Sequence, residues 1–176
     1  MSTQSDLQTA LDTGSYVRLN LEDGGHEGFI IGLSSTFVML QAIYEWQDYG
    51  ALVIRLDAVE SCDVSDYQED QLRIIDFNSV KRTKRYNWVN LSSFENLFKS
   101  LKPKNKFVVI SIDDEADVGL IDAINRDDVT LKAVDPGGNW IEEPAECPYE
   151  DIVSVQFDDN YSRVLQRYIE RAPSLN

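Results

Sequence analysis

Apolar residues alternate with polar ones in two stretches of this chain that lie 91 positions apart, and the offset persists across several candidate strands. Residues 16–21 (YVRLNL) and 107–112 (FVVISI) each put every second side chain on one face, as a half-buried strand requires. A shift of 91 sets Val17 on Val108, Leu19 on Ile110 and Leu21 on Ile112. It then sets Gly28, Phe29 and Ile30 on Gly119, Leu120 and Ile121, Val38 on Val129, Leu40 on Leu131 and Ile43 on Val134. Towards the end of each half, Asp57, Ala58 and Val59 match Asp151, Ile152 and Val153 at a shift of 94, a length difference of three. A single apolar pattern recurs by coincidence; a register held over several strands predicts a structural duplication.

Each half therefore reads as a small antiparallel sheet. In the first, strands are expected over 17–21, 28–33, 37–44, 51–56 and 59–64; in the second, over 107–112, 118–124, 129–134, 139–141 and 153–157. Gly28 and Gly119 mark places where two strands approach too closely for a side chain. Gly137 and Gly138, after Pro136, mark a turn. Helices are expected around Leu7 and Leu11, around Phe94, Leu97, Phe98 and Leu101 with a serine cap at Ser92 or Ser93, and around Tyr161, Val164, Leu165 and Tyr168, the last packed on the second half. The stretch QEDQLRIIDF (68–77) is read as an extra strand or a packed linker.

The first half resembles the Sm-like family. The resemblance runs from Tyr16 to Val64 through VRLNLEDG, GFIIGLSSTFVML and ALVIRLDAVESC, with Gly28 at the glycine of the first motif and Ile54–Arg55 at the start of the second. It implies a mainly β fold with short helices, in which two Sm-like, strongly bent antiparallel sheets or small barrels stand in tandem. The division expected is 1–80 for the first unit and its extension, 81–90 for a basic linker, and 91–176 for a helix, the second unit and a C-terminal helix. RNA-binding members of that family use an aspartate and an asparagine in the first motif and Arg–Gly in the second. Ser34, Val38 and Arg55–Leu56 stand there in this chain, so Arg55 is the one residue that the resemblance implies for RNA contact.

Charge points the same way. The chain of 176 residues carries a formal charge of −15, which disfavours unaided attraction to nucleic acid or an anionic membrane. Residues 81–106 carry +7 and the remainder −22, so the charge is strongly polarised. Lys81, Arg82, Lys84 and Arg85, with Trp88, and the aromatic residues Trp46 and Tyr49 are the candidate protein-binding residues. No uninterrupted apolar run could span a bilayer and the opening residues lack a signal peptide's pattern, so a cytoplasmic protein without a membrane partner is expected.

Catalytic chemistry finds little to work with. His26 is the one histidine, in a turn with Glu22, Asp23 and Glu27; Asp113, Asp114 and Glu115, like Asp158 and Asp159, read as solvated turns. Cys62 and Cys147 read as packed thiols, and no phosphate loop, dinucleotide fingerprint, nucleophile elbow or zinc-ligand cluster occurs. The expectation is a non-enzymatic protein-interaction or adaptor module with no catalytic residue, metal or cofactor. An RNA-binding Sm-like protein is the alternative, and a small hydrolase ranks below both.

Overall fold

The computed structural model describes residues 3–22, 24–113 and 115–171; Asp23 and Asp114 of the acidic turns lie outside them. The chain divides into two compact units, 1–92 and 93–176.

In the first unit, helix α1 (Thr3–Thr13) leads into strands β1 (Tyr16–Leu21), β2 (Gly24–Leu33), β3 (Phe37–Tyr44) and β4 (Gln47–Arg55). A short 3-10 turn (Leu56–Ala58), strand β5 (Ser61–Asp63) and helix α2 (Gln68–Phe77) follow. The strands form an antiparallel sheet in the order β5-β1-β2-β3-β4. Alternation sorts its side chains onto two faces. Val17, Leu19, Ile30, Val38, Leu40, Leu52 and Ile54 pack with Leu7 and Ala10 of α1. Tyr16, Phe29 and Ile43 pack with Ile75 of α2, joined by Leu72. Helix α1 stops at Gly14, whose left-handed backbone (φ +70°) lets its N–H and that of Ser15 both reach the Ala10 carbonyl.

In the second unit, helix α3 (Phe94–Leu101) precedes β6 (Val108–Ile112), β7 (Glu115–Ile124), β8 (Asp128–Ala133), β9 (Ala145–Pro148) and β10 (Ile152–Phe157), and helix α4 (Asn160–Arg171) follows. The order is β10-β6-β7-β8-β9, again antiparallel. Ser93 caps α3 by accepting the Asn96 N–H at 3.1 Å. Phe94, Leu97, Phe98 and Leu101 are all buried, and the Phe94 and Phe98 rings stack on Tyr149. Leu165 of α4 packs with Phe107 and Val134.

Both expected close approaches are present. A β-carbon on Gly28 would stand 2.0 Å from the Gln41 carbonyl oxygen, and one on Gly119 would stand 2.1 Å from that of Lys132. The ladders slip just beyond, between Ile30 and Gly32 in β2 and between Ile121 and Ala123 in β7.

The barrel expectation is overturned. Among the described residues β5 is laddered to β1 and β9 to β8, and no ladder joins β5 to β4 or β9 to β10, so each sheet stays open. Closure would have been one way to hide the apolar faces; in the first unit, helices α1 and α2 cover them instead. The fold is mixed α and β with open antiparallel sheets, not mainly β with two tandem Sm-like barrels, and what the two sheets share is a strand order and a pair of close approaches.

Two local expectations also change. Residues 68–77 are a helix: Leu72 and Ile75, three apart, turn to the sheet, and Glu69 and Asp70 in the first turn suit the positive end of the helix dipole. The fourth strand of the second unit is Ala145–Pro148, and the 139–141 segment makes only an isolated bridge from Trp140 to Val134. There the Asp135 carboxylate accepts the Asn139 N–H at 2.9 Å across the Gly137–Gly138 turn.

Candidate functional site

The basic residues 81–85 are a strap folded onto the first unit. Gln41 of β3 is fully buried, and its side chain gathers the strap. Its Nε2 donates to Asp48 Oδ2 at 2.9 Å and to the Lys81 carbonyl at 3.1 Å, while its Oε1 accepts the Thr83 N–H at 2.8 Å. Arg82 Nη2 donates to the Leu11 carbonyl at 2.7 Å and to the Ile30 carbonyl at 2.8 Å, placing a cation at the negative end of α1. Arg85 pairs with Asp48 at 3.1 Å and lies over the ring of buried Tyr86. Trp88 Nε1 donates to the Arg85 carbonyl at 2.8 Å. Lys81 and Lys84 are exposed, and the strap borders a cavity of about 290 Å³ lined by Ile31, Arg82, Thr83, Lys84, Tyr86 and Asn87.

Trp46 and Tyr49 do not share a patch. The β3–β4 hairpin turns on Glu45 and Trp46, both with positive φ as a two-residue turn demands. Trp46 packs on the Tyr16–Phe29–Ile43–Ile75 side, while Tyr49 packs on the α1 side and meets Tyr44 edge to face. Arg55, at the end of β4, is engaged by Asp57, with Nε to Oδ1 at 2.9 Å. That hydrogen bond holds the Asp57 carboxyl below its ordinary range.

Of the acidic residues singled out in the sequence, Glu27, Asp158 and Asp159 are engaged by neighbouring groups. Glu27 accepts from the Tyr16 hydroxyl at 2.8 Å and pairs with Arg18 at 3.2 Å, while His26 beside it is exposed on β2. Burial, with the Glu27 bond second, pushes the Tyr16 hydroxyl up. Asp158 pairs with Lys106, and Asp159 accepts the Ser162 N–H at 2.8 Å at the start of α4. Among the described residues no group of three or more His, Cys, Asp and Glu could hold a metal ion, and no helix is long and apolar enough to cross a membrane.

Both cysteines are free thiols. Burial, reinforced by the charge of Asp117, pushes the Cys147 thiol up to about 12; burial and Asp6 push Cys62 up to about 11. These folded values lie above the ordinary 9.0, so the stability they contribute is whole below about pH 9 and is lost as pH rises through the folded values. The urea midpoint should therefore fall between about pH 9 and about pH 12, and Cys147→Ala should flatten part of that fall. At neutral pH Cys147 should react with a thiol reagent only when the protein unfolds; prompt native-state labelling would contradict its burial.

Besides Tyr44 at the end of β3, the most exposed aromatic residues lie on α4 and on or just before α2. On α4, Leu165 and Ser162 face inward, whereas Tyr161, Val164 and Tyr168, expected to pack with Leu165, are about half exposed. The Tyr168 ring rests on Gly138, where a β-carbon would stand 2.7 Å from it. Arg163, Arg167 and Arg171 flank this face, and a cavity of about 420 Å³ is lined by Val164, Arg167, Tyr168 and Arg171. On and before α2, Phe77 is 88% exposed, Tyr67 72% and Ile74 41%. Helical spacing from Leu72 and Ile75 would have placed them outward, had 68–77 been read as a helix.

No family model, curated protein or solved structure matches the chain. The Sm-like resemblance of residues 16–64 is thus left without a family behind it, as well as without a barrel.

Proposed function

We propose that this chain is a non-enzymatic protein-interaction module that binds through the arginine and tyrosine face of α4. The observation that carries this reading is the half-exposed row Tyr161, Val164 and Tyr168 set among Arg163, Arg167 and Arg171. Tyrosine and arginine are the residue types that anchor protein interfaces, because they combine a large apolar area with several donors. In a chain of −15 this face is a place where an acidic partner meets attraction. The strap supports the same reading by a different route: Arg82 and Arg85 are tied to the first unit, so the contact surface moves from the sequence-predicted cations to α4.

The test is affinity capture from native extract with wild-type chain and with Arg167→Glu/Arg171→Glu side by side. A protein retained saturably by wild type and lost from the variant, then reproduced with both components purified, is the expected result. Nuclease-sensitive retention of RNA would replace this reading with the RNA-binding alternative. Equal retention by both forms, or none by either, would end it.

A further inference from the structure

The exposed faces of α2 and α4 complement each other in charge and in apolarity, and they belong to the same chain. At 100° per residue, Tyr67, Ile74 and Phe77 lie within roughly 80° of one another around the α2 axis. Asp66, Glu69, Asp70 and Asp76 lie within and along one side of this stripe, and the single cation of the helix, Arg73, is held by Asp70 at 3.2 Å and Glu69 at 3.8 Å. On α4 the sign is reversed: Arg163, Arg167 and Arg171 line one side of the stripe formed by Tyr161, Val164 and Tyr168, and the carboxylate of Glu170 accepts from Gln166.

We propose that α4 of one copy docks on α2 of a second copy in a head-to-tail contact, which rests on the reading of α4 as a protein-binding surface. Phe77 and Tyr67 are among the most exposed aromatic side chains of the chain, and burying them against Tyr161, Val164 and Tyr168 removes apolar area from water on both sides. The arginines then meet the carboxylates around α2. The overall charge of −15 repels copies at long range, but at physiological salt the screening length is about 8 Å, so contact-range pairs outlast that repulsion. A contact between different faces leaves one α2 and one α4 face unused on every pair, so assembly continues until it closes as a ring or extends as a filament. A contact through one helix face on each side is small, which places it among weak, concentration-dependent associations.

Sedimentation analysis at physiological salt tests this with three proteins: wild type, an α2 variant (Ile74→Ser/Phe77→Ser) and an α4 variant (Arg167→Glu/Arg171→Glu). Wild type should gain mass with concentration, and each variant alone should stay at monomer mass. An equimolar mixture of the two variants should form dimers and nothing larger, because one intact α4 meets one intact α2. Should either variant lose its circular dichroism signal, Asp70→Lys or Arg167→Glu alone takes its place. Wild type that remains monomeric up to about 1 mM, the range of weak association, overturns the proposal, as does self-association that the variants retain or that their mixing does not restore. If wild type stays monomeric while α4-dependent capture from extract persists, the head-to-tail contact falls and the protein-binding reading stands.

Discussion

Gly28→Ala is expected to cost about 3 kcal/mol or more, among the largest losses any single substitution should produce in the first unit. The added methyl group would sit 2.0 Å from the Gln41 carbonyl oxygen, well inside contact distance, and the obstructing atom is main chain that cannot rotate aside. Strands β2 and β3 must separate by more than an ångström, which opens the ladder on both sides of Gly28↔Ala42 and loosens Leu40, fully buried at the centre of the core. Urea unfolding followed by fluorescence gives the size of the loss, and amide exchange shows where it falls, with β2 and β3 protons faster first. A loss below about 1 kcal/mol would mean that the two strands do not approach as described. Gly119→Ala, with its β-carbon 2.1 Å from the Lys132 carbonyl, should behave alike in the second unit.

Gln41→Leu should release the strap with less harm to the sheet. Leucine fills nearly the same volume, but the Lys81 carbonyl and the Thr83 N–H lose their partner and Asp48 loses one donor. Unsatisfied polar groups cost about 1–3 kcal/mol each where they stay buried, so the strap opens instead and lets water reach them. An anchoring loss on the order of 3 kcal/mol raises the open fraction roughly a hundredfold. Trypsin reads this directly, since the strap carries Lys81, Arg82, Lys84 and Arg85 in five residues. Cleavage there should quicken by a similar factor while the urea midpoint of the sheet shifts far less, and an unchanged rate would show that Arg82 and Arg85 hold the strap without Gln41.

What could be read from the sequence was what local chemistry decides. Strand β3 was expected over 37–44 and is found there, because its apolar run ends in a turn that Glu45 and Trp46 close. The two glycine approaches were visible because no side chain fits, and α3 because a serine cap precedes a stripe at helical spacing. Open or closed sheet was not visible, since it depends on whether distant strands meet and on what else covers the apolar face. Helix α2 was ambiguous because the adjacent Ile74 and Ile75 fit either period, and only packing sends Ile75 inward and Ile74 out. On α4 helical spacing predicts the apolar residues as the buried side, whereas small Ser162 lies inward with Leu165 and leaves two tyrosines about half exposed. Composition marks 81–90 as a basic linker, and nothing in it names the glutamine forty residues before Lys81 that collects the strap.

The Gln41 clamp separates two kinds of evolutionary change. It grips the carbonyl of residue 81 and the N–H of residue 83, which any side chain would offer at 81 and any but proline at 83. The identities of those two residues can therefore drift without loosening the clamp. The number of residues between the end of α2 at Phe77 and Thr83 cannot, because a single insertion or deletion would present the wrong main-chain atoms to Gln41 and carry Arg82 away from Leu11 and Ile30. Among relatives of this chain that keep the glutamine, this interval should vary in composition and stay constant in length.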